Sequence, residues 1–169
     1  MRAIGCAFVL VLLCGSVGLA QEERVVGAWT VIRDVDLITD EDSSYIYSVA
    51  FDGPSAARAA GPTVMCSTSG SSGVLVVFMI DRYMGSGDTA EVVYRIDGGP
   101  PVSMEWWLLG GDVVAPPPGD MDRVLRDWVD SSTLVFRAST RLSTYTFQAD
   151  VAGLRAALVE LRCYRGPLR

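Results

Sequence analysis

Histidine, lysine and asparagine are absent from this 169-residue sequence, and only four cysteines occur. Without histidine, the chain lacks the usual general base near neutral pH and the commonest metal ligand. Without lysine as well, the many serines lack a side chain that would activate them as nucleophiles. These absences predict a protein that is not an enzyme and that carries no metal or other cofactor.

Charge is also one-sided. Fourteen basic residues, all arginine, stand against 20 acidic residues and give a net charge of −6. Such a chain offers no counter-charge to a nucleic-acid backbone or to an anionic membrane surface. We therefore expect neither of these as a partner.

The first twenty residues resemble a removable secretory signal peptide. One arginine precedes an apolar run, and small residues follow up to Ala20. A transmembrane anchor would need about 20 apolar residues, and a lipoprotein signal would need a small residue where Leu13 precedes Cys14. We predict a signal peptide over residues 1–20 and a single domain over residues 21–169. The mature domain should be periplasmic or secreted, with no membrane insertion.

Two cysteines, Cys66 and Cys163, remain after cleavage. In an oxidising compartment such a pair predicts one disulfide, whereas two free buried thiols would suit a cytosolic protein. The bridge would close a loop that spans much of the domain. By lowering the conformational entropy of the unfolded chain, it would stabilise the folded state by about 4–5 kcal/mol.

Alternating apolar, β-branched and aromatic residues predict eight strands, separated by glycine-rich and proline-rich turns. These strands cover 28–33, 44–51, 63–67, 74–80, 89–97, 102–109, 133–139 and 144–149. Two helices are predicted, one capped by Asp120 and one by Asp150, with leucines at 154, 158 and 161 on one face of the second. The predicted fold is α+β and β-rich: an antiparallel sheet or sandwich with two short helices. The disulfide should tie the C-terminal helix to the sheet.

The hairpin over residues 91–109 carries the candidate binding residues. Alternation turns Arg95 and Trp107 outward, together with Glu105, and turns inward a set made of Val92, Tyr94, Ile96, Met104, Trp106 and Leu108. We expect Arg95 opposite Glu105 and Tyr94 close to Trp106. One interpretation is structural, a surface ion pair worth about 0–1 kcal/mol beside core aromatics. The other makes Trp107 with Arg95 a recognition surface, because interfaces are enriched in tryptophan and arginine.

Two acidic patterns are candidates for chemical sites. Five acidic residues between 34 and 42 invite a calcium interpretation, but the glycine and the closing glutamate of an EF-hand loop are missing, which favours a solvated loop. A carboxylate pair, Asp81 with Asp97 or Glu105, could serve glycoside hydrolysis. Nothing in the spacing places two carboxylates across a cleft.

Several segments together resemble the VasI-like family of periplasmic proteins, some of whose genes accompany type VI secretion systems. They are Trp29 before DVDLITDED, VMC at 64–66, VVYRIDGGPP at 92–101, WW at 106–107 and TYTFQADVAGLRAALVELRC at 144–163. The resemblance covers residues 29–163, and it departs at residues 36–40, where the family leads us to expect a proline. It implies an accessory envelope protein without established chemistry. Together with the lack of an activating base and the outward Trp107, it favours a non-enzymatic protein that engages another protein, such as a component of a secretion system. The alternatives are a module that binds cell-wall glycan or a small ligand, with Trp107 stacked on a sugar, and a carboxylate-dependent hydrolase.

Overall fold

The computed structural model describes residues 22–36, 38–52, 60–67 and 73–165. Within them the chain forms one 11-stranded sheet and two helices. The elements are β1 (Glu22–Val26), β2 (Trp29–Arg33), β3 (Tyr45–Tyr47), β4 (Ala50–Phe51), β5 (Gly61–Cys66), β6 (Val74–Met79), β7 (Thr89–Ile96), β8 (Val102–Leu109), β9 (Val113–Ala115), α1 (Met121–Val129), β10 (Thr133–Ser139), β11 (Thr144–Asp150) and α2 (Leu154–Val159).

Strand order in the sheet is β1-β2-β3-β5-β6-β9-β8-β7-β10-β11-β4, and the paired strands run antiparallel. Strand β4, last in this order, follows β3 along the chain after only Ser48 and Val49. The last strand of the sheet, β4, therefore lies close to β3, the third strand, and the sheet curves around the core. The predicted β-rich α+β fold is confirmed.

The segment predicted as one strand over residues 44–51 is two strands that pair with different neighbours. Strand β3 pairs with β2, and β4 pairs with β11. At the junction the Ser48 hydroxyl donates a 2.5 Å hydrogen bond to the Asp150 carbonyl, and the Ser48 N–H donates to the Pro62 carbonyl. Strands β1 and β9 were not predicted, because β1 is largely charged and β9 has only three residues.

Both predicted helices are present, with differences at their starts. Asp120 is the N-cap of α1, but its side chain makes no capping hydrogen bond. Helix α2 begins at Leu154 with Gly153 at its N-cap, so the prediction of Asp150 as its cap was wrong. Asp150 instead ends β11, and its carboxylate accepts a hydrogen bond from the N–H of Ala152. The leucines at 154, 158 and 161 are buried, as the spacing predicted.

The core lies between the helices and the inner face of the sheet, where the largest fully buried side chains include Trp29, Trp106, Trp128, Tyr94 and Phe136. The disulfide is confirmed: Cys66 ends β5 and bonds to Cys163, beyond α2, with a Cα–Cα distance of 5.6 Å. It fastens the segment after α2 to β5, the fourth strand in the sheet order.

The hairpin register differs from the prediction by four residues. Glu105 lies opposite Glu91, and Arg95 lies opposite Val135 of β10, so the expected pairing of Arg95 with Glu105 was wrong. Tyr94 lies opposite Val102, and both Tyr94 and Trp106 contact Trp128. Because the register is shifted by an even number of residues, each side chain stays on its predicted face of the sheet.

The predicted signal peptide, residues 1–20, lies outside the described residues. Of the helices that the structure describes, none is long and apolar enough to cross a membrane.

Candidate binding face

The outer face of the sheet, opposite the helices, is divided into an apolar half and a polar half. Aligned rows of side chains cross the apolar half: Thr30, Tyr47, Thr63 and Val77 in one row, and Ile32, Tyr45, Met65 and Leu75 in the next. The polar half carries Glu91, Arg95, Glu105, Arg137 and Gln148. The middle of the sheet thus has apolar side chains on both faces.

Three large apolar side chains stand exposed at the border of the apolar half. The exposed fractions are 46% for Trp107, 41% for Leu109 and 41% for Met79. Leu109 pairs with Val113, which pairs with Met79, so these residues lie side by side on strands β8, β9 and β6. With neighbouring strands about 4.8 Å apart, Leu109 and Met79 are about 10 Å apart. We call Trp107, Leu109, Val113 and Met79 the apolar strip.

A pocket of about 290 Å³ adjoins the apolar strip at Met79. Its walls are Met79, Tyr45, Tyr47, Val49, Thr63 and Ile32. The two tyrosine rings have centroids 6.2 Å apart and planes tilted by 33°.

The floor of the pocket depends on a glycine. Ser48, Ala60 and Gly61 complete the lining. A Cβ at Gly61 would collide with the carbonyl oxygen of Ser48, so only glycine lets β5 approach the β3–β4 junction this closely. The nine lining residues, all among those described, include none that is ionised.

The two predicted binding residues lie on the same face but far apart. Trp107 is opposite Thr89, at the start of β7, whereas Arg95 is near the end of that strand. Six residues at about 3.3 Å each separate them by about 20 Å. Arg95 belongs to the polar half, in a row with Val135, and Trp107 belongs to the apolar strip. The two residues therefore share a face but are not neighbours on it.

The carboxylates considered for hydrolysis are not brought together. Asp97 lies in the turn between β7 and β8, while Asp81 follows β6 at the opposite end of the hairpin, about 25 Å away by strand length. Glu105 faces Glu91 across the strands on the outer face. The carboxylates of Asp81, Asp97 and Glu105 therefore do not lie beside one another.

Two carboxylates of the acidic loop accept hydrogen bonds from the loop's own backbone. The Asp36 carboxylate accepts hydrogen bonds from the N–H groups of Ile38 and Thr39, at 2.7 and 3.0 Å, which lowers its pKa. Asp42 accepts from the N–H of Ser44. Within the described part of the chain, the set of three potential metal ligands that comes together is Asp42, Cys66 and Cys163, and its sulfurs are joined in the disulfide.

Comparison with known proteins supports the fold. No family model matches the sequence, and no curated protein matches it significantly. The chain is similar to the crystal structure of invasion associated protein B from Bartonella henselae, with a TM-score of 0.54 and 11% sequence identity. The similarity covers 83% of this chain and 95% of that one. At this identity the likeness concerns the fold alone, and the disulfide is typical of proteins outside the reducing cytoplasm.

Sequence reasoning found Trp107 but missed the rest of the strip and the pocket. Met79, Leu109 and Tyr47 come from three strands widely separated in the chain, and only the strand order makes them neighbours. One signal was available: β6 reads VLVVFM, without a polar residue. Such a run is typical of a strand with apolar surroundings on both faces.

Proposed function

We propose that this protein is a non-enzymatic protein of the bacterial envelope, periplasmic or secreted, that engages another protein through its apolar strip. The observation that carries the proposal is the cluster of Trp107, Leu109 and Met79, each more than 40% exposed and adjacent on one sheet face. Exposed apolar clusters on soluble domains mark interaction surfaces, and tryptophan is enriched at interface hot spots.

The surroundings of the strip indicate the chemistry of the partner. Glu105 lies two residues from Trp107 on the same face, with Glu91 opposite it, and the whole chain has a net charge of −6. A partner surface with apolar side chains at its centre and basic residues at its rim would be complementary. The link to a secretion system rests on the VasI-like resemblance and belongs to this proposal.

A second candidate is a glycan-binding module. It is favoured by the exposed Trp107 ring beside the Glu105 and Glu91 carboxylates, because sugars are bound by an aromatic face together with polar groups at its edge. This function would use Trp107 and Glu105, whereas the leading one would use Trp107 with Leu109 and Met79.

Photo-crosslinking in the host envelope tests the leading function. A photoreactive amino acid at Leu109 should yield one discrete protein adduct, identified by mass spectrometry, and the same adduct should form from position 79. Leu142, which is 77% exposed and outside the strip, is the control position and should give no such adduct. Trp107→Ser should abolish the adduct.

Two results would contradict the leading function. Crosslinks from Leu109 that match those from Leu142 would show that the strip has no dedicated protein partner. Retention of the protein on peptidoglycan or an envelope polysaccharide, lost in Trp107→Ser and Glu105→Gln but kept in Leu109→Ser, would favour the glycan module instead.

A further inference from the structure

We infer that the pocket beside Met79 is an anchor pocket that receives one uncharged, aromatic or branched aliphatic side chain of the partner protein. This inference rests on the proposed function and names the chemistry of the residue that the partner inserts.

The lining of the pocket determines the character of the occupant. None of the nine lining residues is ionised, although the chain as a whole is strongly acidic. Among these nine residues a cationic side chain would find no counter-charge, and an anionic one would find no group of opposite charge to offset its desolvation. The tyrosine faces, the Met79 thioether and the Ile32 and Val49 side chains match an apolar group.

The size of the pocket suits one large side chain. Its volume of about 290 Å³ lies at the small end of the range of ligand sites, about 300–1,000 Å³. Interface hot spots are typically single aromatic or aliphatic groups seated in such pockets.

Continuity with the apolar strip connects the pocket to a protein partner. Met79 lines the pocket and also ends the row formed by Leu109 and Val113. A segment that lies across the strip therefore reaches the mouth of the pocket without crossing a charged residue of that row. A free metabolite would not need this extended approach.

Nuclear magnetic resonance of the isolated mature protein, with amino-acid amides as probes, tests the inference. N-acetyl-tryptophanamide, N-acetyl-phenylalaninamide and N-acetyl-leucinamide should each cause saturable shifts of the Met79 methyl and of the Tyr45 and Tyr47 ring signals. N-acetyl-lysinamide and N-acetylglucosamine should cause none. Dissociation constants near or above about 1 mM are expected for such small probes.

The same substitution at two valines, Val49 and Val135, provides a test variant and its control, because the two side chains are exposed to nearly the same degree. Val49 lines the pocket and is 39% exposed, while Val135 is on the polar half of the outer face and is 38% exposed. Val49→Trp should fill the pocket and weaken probe binding at least tenfold, and Val135→Trp should leave it unchanged. Met79→Glu, at an exposed position, should admit the lysinamide and so provides a second test if Val49→Trp disturbs folding.

The inference is overturned if the apolar amides cause no saturable shifts, or if Val49→Trp and Val135→Trp bind them equally. It is also overturned if the lysinamide binds the unmodified protein as well as they do. A discrete crosslink from Leu109 with no probe binding would remove the anchor pocket and leave the proposed function standing. Probe binding without any crosslink would remove the protein partner and the anchor role with it, and would leave a site for small apolar ligands.

Discussion

Replacing Trp106 by alanine should lower the free energy of unfolding by about 3–5 kcal/mol, the usual cost of truncating a large core aromatic. Trp106 is fully buried. Its ring lies 5.3 Å from that of Phe136 in an edge-on arrangement and 6.2 Å from that of Trp128, measured between centroids. Its indole N–H has no hydrogen-bond partner among the described residues, so the loss is one of packing and burial.

Trp107→Ala should behave differently, although the two tryptophans are adjacent in sequence. Trp107 is 46% exposed, and substitutions of exposed residues usually change stability by about 0.5 kcal/mol or less. For a domain of this size, 1 kcal/mol corresponds to about 2–4 °C in Tm. We therefore expect Tm to fall by about 6–20 °C for Trp106→Ala and by about 2 °C or less for Trp107→Ala.

Thermal unfolding followed by circular dichroism, with urea titrations for the free energies, measures both variants. Trp106→Phe and Trp29→Phe make a matched pair of controls, because the Trp29 indole donates a 3.0 Å hydrogen bond to the Val151 carbonyl. Trp29→Phe should cost more, since it leaves that buried carbonyl unpaired. Equal and large destabilisation by Trp106→Ala and Trp107→Ala would refute the reasoning, because Trp107 would then be part of the core and not of a recognition surface.

Two further predictions concern stability. The double variant Cys66→Ser with Cys163→Ser should lose about 4–5 kcal/mol, because the disulfide closes a loop with a sequence separation of 97 residues; a loss under about 1 kcal/mol in urea titrations would contradict this. Asp97→Asn tests the turn before β8. The N–H groups of Thr133 and Ser132 donate to the Asp97 carboxylate and lower its pKa. This stabilisation should be present above the unfolded-state pKa of about 4 and disappear as pH falls through the folded-state pKa. The difference in unfolding free energy between the two proteins should accordingly shrink on acidification, and a difference that is constant from pH 6 to pH 2 would rule it out.

In this hairpin burial was predicted correctly and pairing was not, although the sequence carries a signal for where the chain reverses. The turn consists of Asp97 and Gly98, both with positive φ (47° and 73°), closed by a hydrogen bond from the Gly99 N–H to the Ile96 carbonyl. Such a two-residue turn is favoured by an Asp-Gly sequence. The prediction placed the reversal around the following glycine and prolines, which moved the register by four residues. Because the side-chain period of a strand is two, the inward and outward sets remained correct while every cross-strand partner changed.

Strand β6 shows how far the candidate site could have been anticipated. Its alternation places Val74, Val76 and Phe78 in the core, and that requirement alone would allow polar residues at 75, 77 and 79. The sequence has Leu75, Val77 and Met79 there instead. An apolar outer face can therefore be inferred from the sequence of β6 alone. The residues that lie beside β6 cannot be inferred in this way, because Leu109 and Tyr47 come close to it only through a strand order that long-range pairing sets. Met79 is exposed at the end of β6, where the apolar strip and the pocket meet, and this exposure is the reason that we propose a partner site here and not a second core.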